Sequence, residues 1–349
     1  MNWFERKILC FFVKTNGMFS KLFFSGKGII FMLHRVLPED ERNQFTLNKD
    51  LAISPEKLEE FILLFKEKGY TFVSLDEVQA WLEKKTTIRK KFICLTFDDG
   101  YRDNLIHGLP ILEKHAVPAT IYVTNCFPNG KGILWWYLFE MHAKTAKQLI
   151  LNSSIGRFDF SWENIEKAHA QFGSISEAIK SIPLSELQSV LMEAFGKTAL
   201  EFEELCQSVS LSWDEIVAMS KHPLITIGAH TMHHVSVKQQ STVGVENEMR
   251  LSKKELEHYV GKEVKHFAYP FGGTFDVSMR DLELAQSVGF KTSTLNQAGN
   301  IFQSNHKAMQ GLARMPLGNS TDEQRMNYYL NGIYHFSVNQ FNYTINIKK

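Results

Sequence analysis

The stretch KFICLTFDDGY at residues 91–101 decides how the rest of the chain is interpreted. Its first seven residues form an apolar run typical of a buried strand, and Asp98-Asp99-Gly100 ends that run. Two adjacent carboxylates at the end of a buried strand are costly when they are unpaired, and a divalent cation would remove that cost. The stretch therefore predicts a buried strand whose end carries carboxylates with a functional role, such as binding a cation.

The segments on either side alternate between strand and helix patterns. Ser54-Pro55 begins a predicted helix, because serine caps helices and proline suits the first turn. Ser74 and Glu77 form a capping box for the next one. This alternation predicts parallel strands with helices outside them. The further strand segments are IIFMLHRV (29–36), PATIYVTN (118–125), LITIGAH (224–230) and KHFAYPFGG (265–273), with a β-like segment at about 312–317.

The alternation stops at about residue 130 and resumes after residue 213. The sequence between these points is helix-like, with no convincing β-run, so it predicts a helical insertion at about 130–213 in a domain of residues 29–349. Residues 1–28 are predicted to form an amphipathic segment that either packs on the domain or lies on the inner membrane surface. Their apolar run at 8–13 is too short for a signal peptide or a membrane span.

Composition bears on nucleic-acid binding and on the cellular compartment. The 349 residues carry 39 basic and 38 acidic side chains, a net charge of +1 that gives no support for nucleic-acid binding. The four cysteines are scattered and favour a reducing compartment. We therefore expect a cytoplasmic protein, with peripheral contact at the inner membrane face as the alternative that the N-terminus allows.

A second polar cluster, HTMHH at 230–234, follows another strand-like run. On a helical turn, His230 and His234 would lie on one face, within reach of a single ion. Alone, such a pair is weak evidence, as is Asp-Asp-Gly, which usually marks a turn. Two histidines and one carboxylate, however, leave an open position, as in catalytic zinc sites. A third stretch, FAYPFGG at 267–273, is an aromatic, proline-fixed turn that could shape a pocket wall.

Together, TFDDGY (96–101), HTMHH (230–234) and FAYPFG (267–272) resemble the three motifs of the polysaccharide deacetylase family, the group with the NodB homology domain (carbohydrate esterase family 4). The resemblance spans roughly residues 29–317, with the insertion outside the shared core. It implies an α/β fold, a distorted seven-stranded (β/α)-barrel, and a metal-dependent hydrolase that removes N- or O-acetyl groups from a carbohydrate.

The resemblance also implies roles for individual residues. Asp98 would be the general base, and Asp99, His230 and His234 would hold a divalent metal, with Zn²⁺ favoured over Co²⁺, Ni²⁺ or Mn²⁺. The backbone N–H of Phe271 would stabilise the oxyanion. The remaining expected substrate contacts are Tyr101, Tyr269 and Pro270.

Two departures from the family pattern concern the residues around the base. Ala268 stands where many members have an arginine that tethers the base, and the usual late histidine is missing. Arg314 could supply the positive charge from another strand, which would keep Asp98 ionised. His34 is the candidate general acid, although it could equally be a core or rim histidine. His306 and His335 are weaker candidates.

The substrate is less constrained than the site. The lack of an export signal favours a sugar met inside the cell, such as a lipid- or nucleotide-linked glycan in surface polysaccharide biosynthesis. Trp135 and Trp136 could stack on sugar rings or a lipid carrier, or could anchor the core of the insertion. Two other functions stay open: a non-catalytic metal- or sugar-binding relative, and a deformylase-like amidohydrolase acting on a different acyl amide.

Overall fold

The computed structural model describes residues 21, 23–339, 342 and 345, without the side chains of 336 and 338. The predicted amphipathic segment at 1–28 therefore lies largely outside the described residues, and its membrane contact stays a prediction. Among the described helices, none is long and apolar enough to cross a membrane.

The described strands and helices follow the predicted alternation. The strands are β1 (Gly28–Leu33), β2 (Arg35–Val36), β3 (Ala52–Ile53), β4 (Thr71–Phe72), β5 (Phe92–Phe97), β6 (Ala119–Val123), β7 (Gln148–Ser153), β8 (Gly156–Ser161), β9 (Ile225–Ala229), β10 (His266–Ala268), β11 (Thr292–Thr294) and β12 (Met315–Pro316). The α-helices are α1 (Glu39–Arg42), α2 (Pro55–Glu67), α3 (Leu75–Leu82), α4 (Leu109–His115), α5 (Trp135–Thr145), α6 (Ile165–Ala170), α7 (Phe172–Ser181), α8 (Leu184–Phe195), α9 (Ala199–Val209), α10 (Trp213–Ser220), α11 (Thr242–Val260), α12 (Met279–Val288), α13 (Glu323–Leu330) and α14 (Ile333–Asn339). A π-helical turn (Asn104–Gly108) precedes α4.

Seven parallel strands form a ring in the order β11-β10-β9-β6-β5-β1-β12, and β4 pairs with the beginning of β5. The last segment joins the two edges of the sheet. Leu312 bridges to Thr294 of β11, and Met315 and Pro316 pair with β1. The predicted distorted seven-stranded barrel is confirmed.

The local signals that predicted these elements are present as hydrogen bonds. The Ser54 hydroxyl accepts the Lys57 N–H at the start of α2, and Ser74 and Glu77 form their capping box at α3. All residues of β1 and β5 are buried, as expected for strands that are covered on both faces. The chemistry-bearing residues that follow these strands are therefore held by a rigid core.

The insertion connects β6 to β9, which are neighbours in the ring. It holds α5 to α9, as predicted, but also the antiparallel hairpin β7–β8, so the expectation that this segment lacks a β-run is wrong. The reason is a short period-2 pattern: Phe158 and Phe160 alternate with Arg157 and Asp159. The apolar side of the hairpin packs into a core that belongs to the insertion and includes Leu149.

Candidate metal and catalytic site

The predicted site residues meet at one rim of the barrel. Asp98 and Asp99 follow β5, and His230 follows β9, so all three lie at carboxyl ends of parallel strands. Asp99 and the next residue, Gly100, adopt left-handed backbone conformations with φ of 75° and 74°. This sharp turn allows consecutive carboxylates to serve one buried site from different directions.

Asp99, His230 and His234 form a compact cluster. Oδ1 of Asp99 lies 3.3 Å from Nε2 of His230 and 3.1 Å from Nε2 of His234. One ligand atom from each residue lies within 4.8 Å of the other two. Oδ1 is buried and makes no hydrogen bond to any residue that the structure describes, which leaves it available to a cation. One carboxylate oxygen and two imidazole nitrogens are a donor set that suits Zn²⁺ and similar divalent ions.

The protonation states of this cluster also suit a metal. Burial would raise the pKa of Asp99, but His234 and His230 hold that pKa well below its usual range. Burial lowers the pKa of His234, which favours its neutral form. Nδ1 of His230 donates a hydrogen bond of 2.7 Å to the carbonyl of Ala268, so its Nε2 lone pair faces Asp99.

The two histidines come together on a loop, which corrects the expectation of a helical turn. Thr231 and His234 have left-handed φ values of 62° and 55°, so the chain between the histidines is not helical. The ring of His234 lies 5.2 Å from that of Trp136 and 4.7 Å from that of Phe271. Aromatic packing therefore fixes the orientation of this ligand.

Glu248 of α11 accepts hydrogen bonds from the same loop. One of its carboxylate oxygens accepts the N–H groups of Met232 and His233 at 3.0 and 2.9 Å. The other lies 2.6 Å from Nδ1 of His233. His233, the middle histidine of the motif, thus anchors the loop and takes no part in the metal cluster.

Asp98 faces a different partner from Asp99. Arg314 donates to both of its carboxylate oxygens, at 2.6 and 2.7 Å. The guanidinium also donates to the hydroxyl of Thr96 and to the carbonyl of Leu295. Burial would raise the pKa of Asp98, but Arg314 holds it below its usual value. Arg314 therefore lies where the missing family arginine would be needed.

A cavity of about 760 Å³ opens above this rim. His34 lines it together with Asp98, Asp99 and Phe271. Phe271 has a left-handed φ of 61°, and its N–H has no hydrogen-bond partner within the described part of the chain. The cavity thus brings a free donor, a paired carboxylate and the predicted metal cluster to one space, as an acyl-transfer site requires.

The sequence profile of the polysaccharide deacetylase family matches residues 85–152 and 161–293, more than half of the chain. The chain belongs to the polysaccharide deacetylase family. A 73-residue segment is 29% identical to YxkH of Bacillus subtilis (strain 168), which carries the name of a polysaccharide deacetylase. That match covers 21% of this chain and spans only 26% of the relative's length.

Solved structures of deacetylases share the fold of this family member. The Streptococcus pyogenes deacetylase PplD superposes with a TM-score of 0.56 at 17% identity, over 87% of this chain and 96% of that one. A de-N-acetylase from Aggregatibacter actinomycetemcomitans gives 0.57 at 14% identity, over 86% and 99%. IcaB from Ammonifex degensii gives 0.54 at 17% identity, over 87% and 97%. At these identities the likeness concerns the fold.

Three residues that the family motifs suggested as substrate contacts lie behind the cavity wall. Tyr101 is fully buried, and its hydroxyl accepts a hydrogen bond of 3.2 Å from Trp136. Tyr269 is buried and donates to the carbonyl of Gln310 at 3.0 Å. Neither tyrosine lines the cavity, nor does Pro270. Their position corrects the expectation, because their side chains pack into the core of this deacetylase-family fold and support the rim.

The histidine candidates for the general acid differ in whether they reach the cavity. His34 reaches the cavity, whereas His306 is exposed and His335 is buried against the Asn300 N–H, so neither of these two lines it. Motif analysis did not single out Glu248 or Lys180, a lysine of the insertion that lines the cavity. Their sequence neighbourhoods carry no signal, because their partners are distant in the chain.

Proposed function

We propose that this chain is a metal-dependent deacetylase that hydrolyses N-acetyl (or O-acetyl) groups on a carbohydrate. Its substrate would be a glycan, or a lipid- or nucleotide-linked sugar, of surface polysaccharide biosynthesis. The observation that carries the proposal is the unpartnered Oδ1 of Asp99 between His230 and His234, on the rim that also presents Asp98.

Asp99, His230 and His234 would hold the metal, with Zn²⁺ favoured by the two imidazoles and single carboxylate. When bound, such an ion acts as a Lewis acid toward the acyl carbonyl and lowers the pKa of water. Co²⁺, Ni²⁺ or Mn²⁺ could take the same donors, since affinity alone does not select among these ions.

The protein groups supply the proton transfers and the alignment. Asp98, kept ionised by Arg314, accepts a proton from the water that attacks the acyl carbon. The N–H of Phe271 donates to the acyl oxygen as charge develops on it. The bond from carbon to the sugar nitrogen then breaks, and the nitrogen leaves with a proton donated by His34. The products are acetate and an amino sugar.

The direct test is acetate release from N-acetylated hexosamine oligosaccharides, before and after removal of metal with a chelator and after addition of Zn²⁺. We expect release that chelation abolishes and Zn²⁺ restores, and no release by Asp99→Ala. A protein that binds Zn²⁺ and these sugars but releases no acetate would be the non-catalytic relative. Hydrolysis of simple acyl or formyl amides, with sugars left intact, would identify the other amidohydrolase.

A further inference from the structure

The wall around the cavity receives residues from the ends of all seven strands of the ring. The longest of these segments are the one after β1, the insertion after β6, the loop after β10 and the segment after β12. In ring order, the lining includes Asn48 after β1, Asp98 after β5, Lys180 after β6, His230 after β9, Asp276 after β10, Asn296 after β11 and Arg325 after β12.

The insertion is fastened to the segment that follows β1. The carboxylate of Glu140, in α5, is almost fully buried and accepts the backbone N–H groups of Thr46 and Asn48. The side chain of Asn48 donates to the same carboxylate at 2.8 Å and to the carbonyl of Trp136 at 2.9 Å. Buried charge-assisted hydrogen bonds of this kind hold the two wall segments together.

A helix in the middle of the insertion, α7, is fastened to the loop after β10. Nζ of Lys180, in α7, lies 2.8 Å from Oδ1 of Asp276, and both side chains are less than a tenth exposed. The same ammonium lies 4.8 Å from the ring centroids of Phe271 and Phe275. The insertion is thus tied by polar contacts of α5 and α7 to the segment after β1 and to the loop after β10. We call the Lys180–Asp276 pair the latch.

Two further hydrogen bonds join wall segments outside the insertion. The N–H of Asn296, after β11, donates to the carbonyl of Gly272 at 3.0 Å. Asn319, after β12, accepts the N–H of Ser54 through its side chain at 2.7 Å, which joins the last wall segment to the first. The loop after β10 is therefore bonded to the segment after β11, and the segment after β12 to the one that follows β1.

We propose that these contacts leave no two opposed gaps in the wall of the site, so that the enzyme deacetylates a terminal sugar or a short saccharide. A polymer bound through an internal sugar must leave the site in two directions, which requires two gaps in the wall. A terminal sugar needs only the open top. A cavity of about 760 Å³ lies within the size range of small-ligand pockets. This inference rests on the proposed deacetylase function.

The test uses Zn²⁺-loaded full-length protein and N-acetylglucosamine oligomers of one to six sugars, with the position of each free amine read by tandem mass spectrometry. We expect free amines at one chain end, with internal sugars left acetylated in the early products. Free amines at internal sugars at rates equal to the end would overturn the inference while leaving the deacetylase function intact. Acetate release from none of these sugars would overturn both.

The latch gives a second measurement. In Lys180→Met, loss of the ion pair detaches the insertion from the loop that carries Asp276, and we expect the preference for terminal over internal sugars to fall roughly tenfold. Asp276→Asn, which keeps the volume of the side chain, should act in the same direction if Lys180→Met folds poorly. Lys197→Met is the control, because that lysine pairs with Glu201, one turn along the same part of the insertion surface. An unchanged preference for terminal sugars in folded latch variants would overturn the role proposed for the insertion.

Discussion

Arg314 donates one hydrogen bond to each carboxylate oxygen of Asp98, although 216 residues separate the two in the sequence. The pair is almost completely buried, with side-chain exposures of 1% and 4%. Arginine presents two parallel donors that match a carboxylate, and this geometry fixes the direction in which Asp98 points. The position of the proposed base thus depends on the last strand of the ring.

Arg314→Ala should lower kcat by roughly a hundredfold, because a misplaced base loses its alignment. Arg314→Lys should recover only part of that loss, since lysine keeps the charge but loses the paired donors. Steady-state kinetics on an acetylated sugar measures both effects, and Zn²⁺ affinity, measured separately, should stay close to that of the wild type. Normal kcat in Arg314→Ala would contradict the role given to Arg314.

Asp98→Asn should reduce turnover by roughly 10²–10⁴-fold, the usual contribution of a general base. The metal cluster consists of Asp99, His230 and His234, so Zn²⁺ binding should be largely retained. Zinc content and calorimetric titration check the binding, and a thermal melt checks that the unpaired Arg314 has not unfolded the variant. Near-normal turnover with intact folding would show that another group is the base.

Glu248→Ala should weaken Zn²⁺ affinity by roughly 10–100-fold, since residues behind the ligands commonly contribute that much. The loop that carries His234 would lose the acceptor of two backbone N–H groups. Glu248→Gln keeps one carbonyl acceptor and should recover most of the affinity. Competition with a fluorescent chelator provides the measurement.

The matched control for that series is Glu246→Ala, on the same helix, because Glu246 pairs with Arg250 at the surface. Its Zn²⁺ affinity should equal that of the wild type. If the alanine and glutamine variants of Glu248 bind Zn²⁺ as tightly as the control does, the loop does not need its anchor.

His335 predicts a pH dependence of stability. Burial lowers its pKa to about 4, and its Nδ1 accepts the N–H of Asn300, so the folded protein holds the neutral ring. The unfolded chain binds the proton more readily, near pH 6.5, so stability is full above that pH and falls as the pH drops toward 4. The loss between pH 7 and pH 5 should be about 2 kcal/mol.

Urea unfolding at pH 7 and pH 5 tests this prediction, with His335→Gln as the comparison. Glutamine can accept the Asn300 N–H but does not titrate, so the variant should lose about 2 kcal/mol less than the wild type over this interval. Equal losses in the two proteins would mean that His335 is not held neutral in the fold.

Local patterns predicted parallel strands with helices outside them, and the resemblance to the family implied the seven-stranded barrel and the set of metal ligands. Apolar runs that end in polar residues identify strands, and parallel strands bring their carboxyl ends to one rim. The carboxylates after β5 and the histidines after β9 could therefore be placed at one rim, and the resemblance then selected Asp99 as the ligand. The capping residues Ser54 and Ser74 were equally clear, because a cap is formed by residues close in the sequence.

The sequence was less informative where the outcome depends on backbone geometry or distant contacts. The spacing of the HTMHH histidines suggested a helix, but left-handed residues at Thr231 and His234 build the same proximity from a loop. Tyr101 is the last residue of the TFDDGY motif, yet its side chain packs into the core. The latch joins Lys180 to Asp276 across different parts of the fold, and no local pattern reports such a pair.

The closing segment of the ring has a consequence for how the protein acquires activity during synthesis. Residues up to 234 contain every predicted metal ligand and Asp98, but Arg314 arrives only with the segment that joins β11 to β1. A nascent chain that stops before this segment would carry the metal ligands with its base unaligned. Turnover would then begin only when the last strand docks, and its onset would report that the barrel is complete.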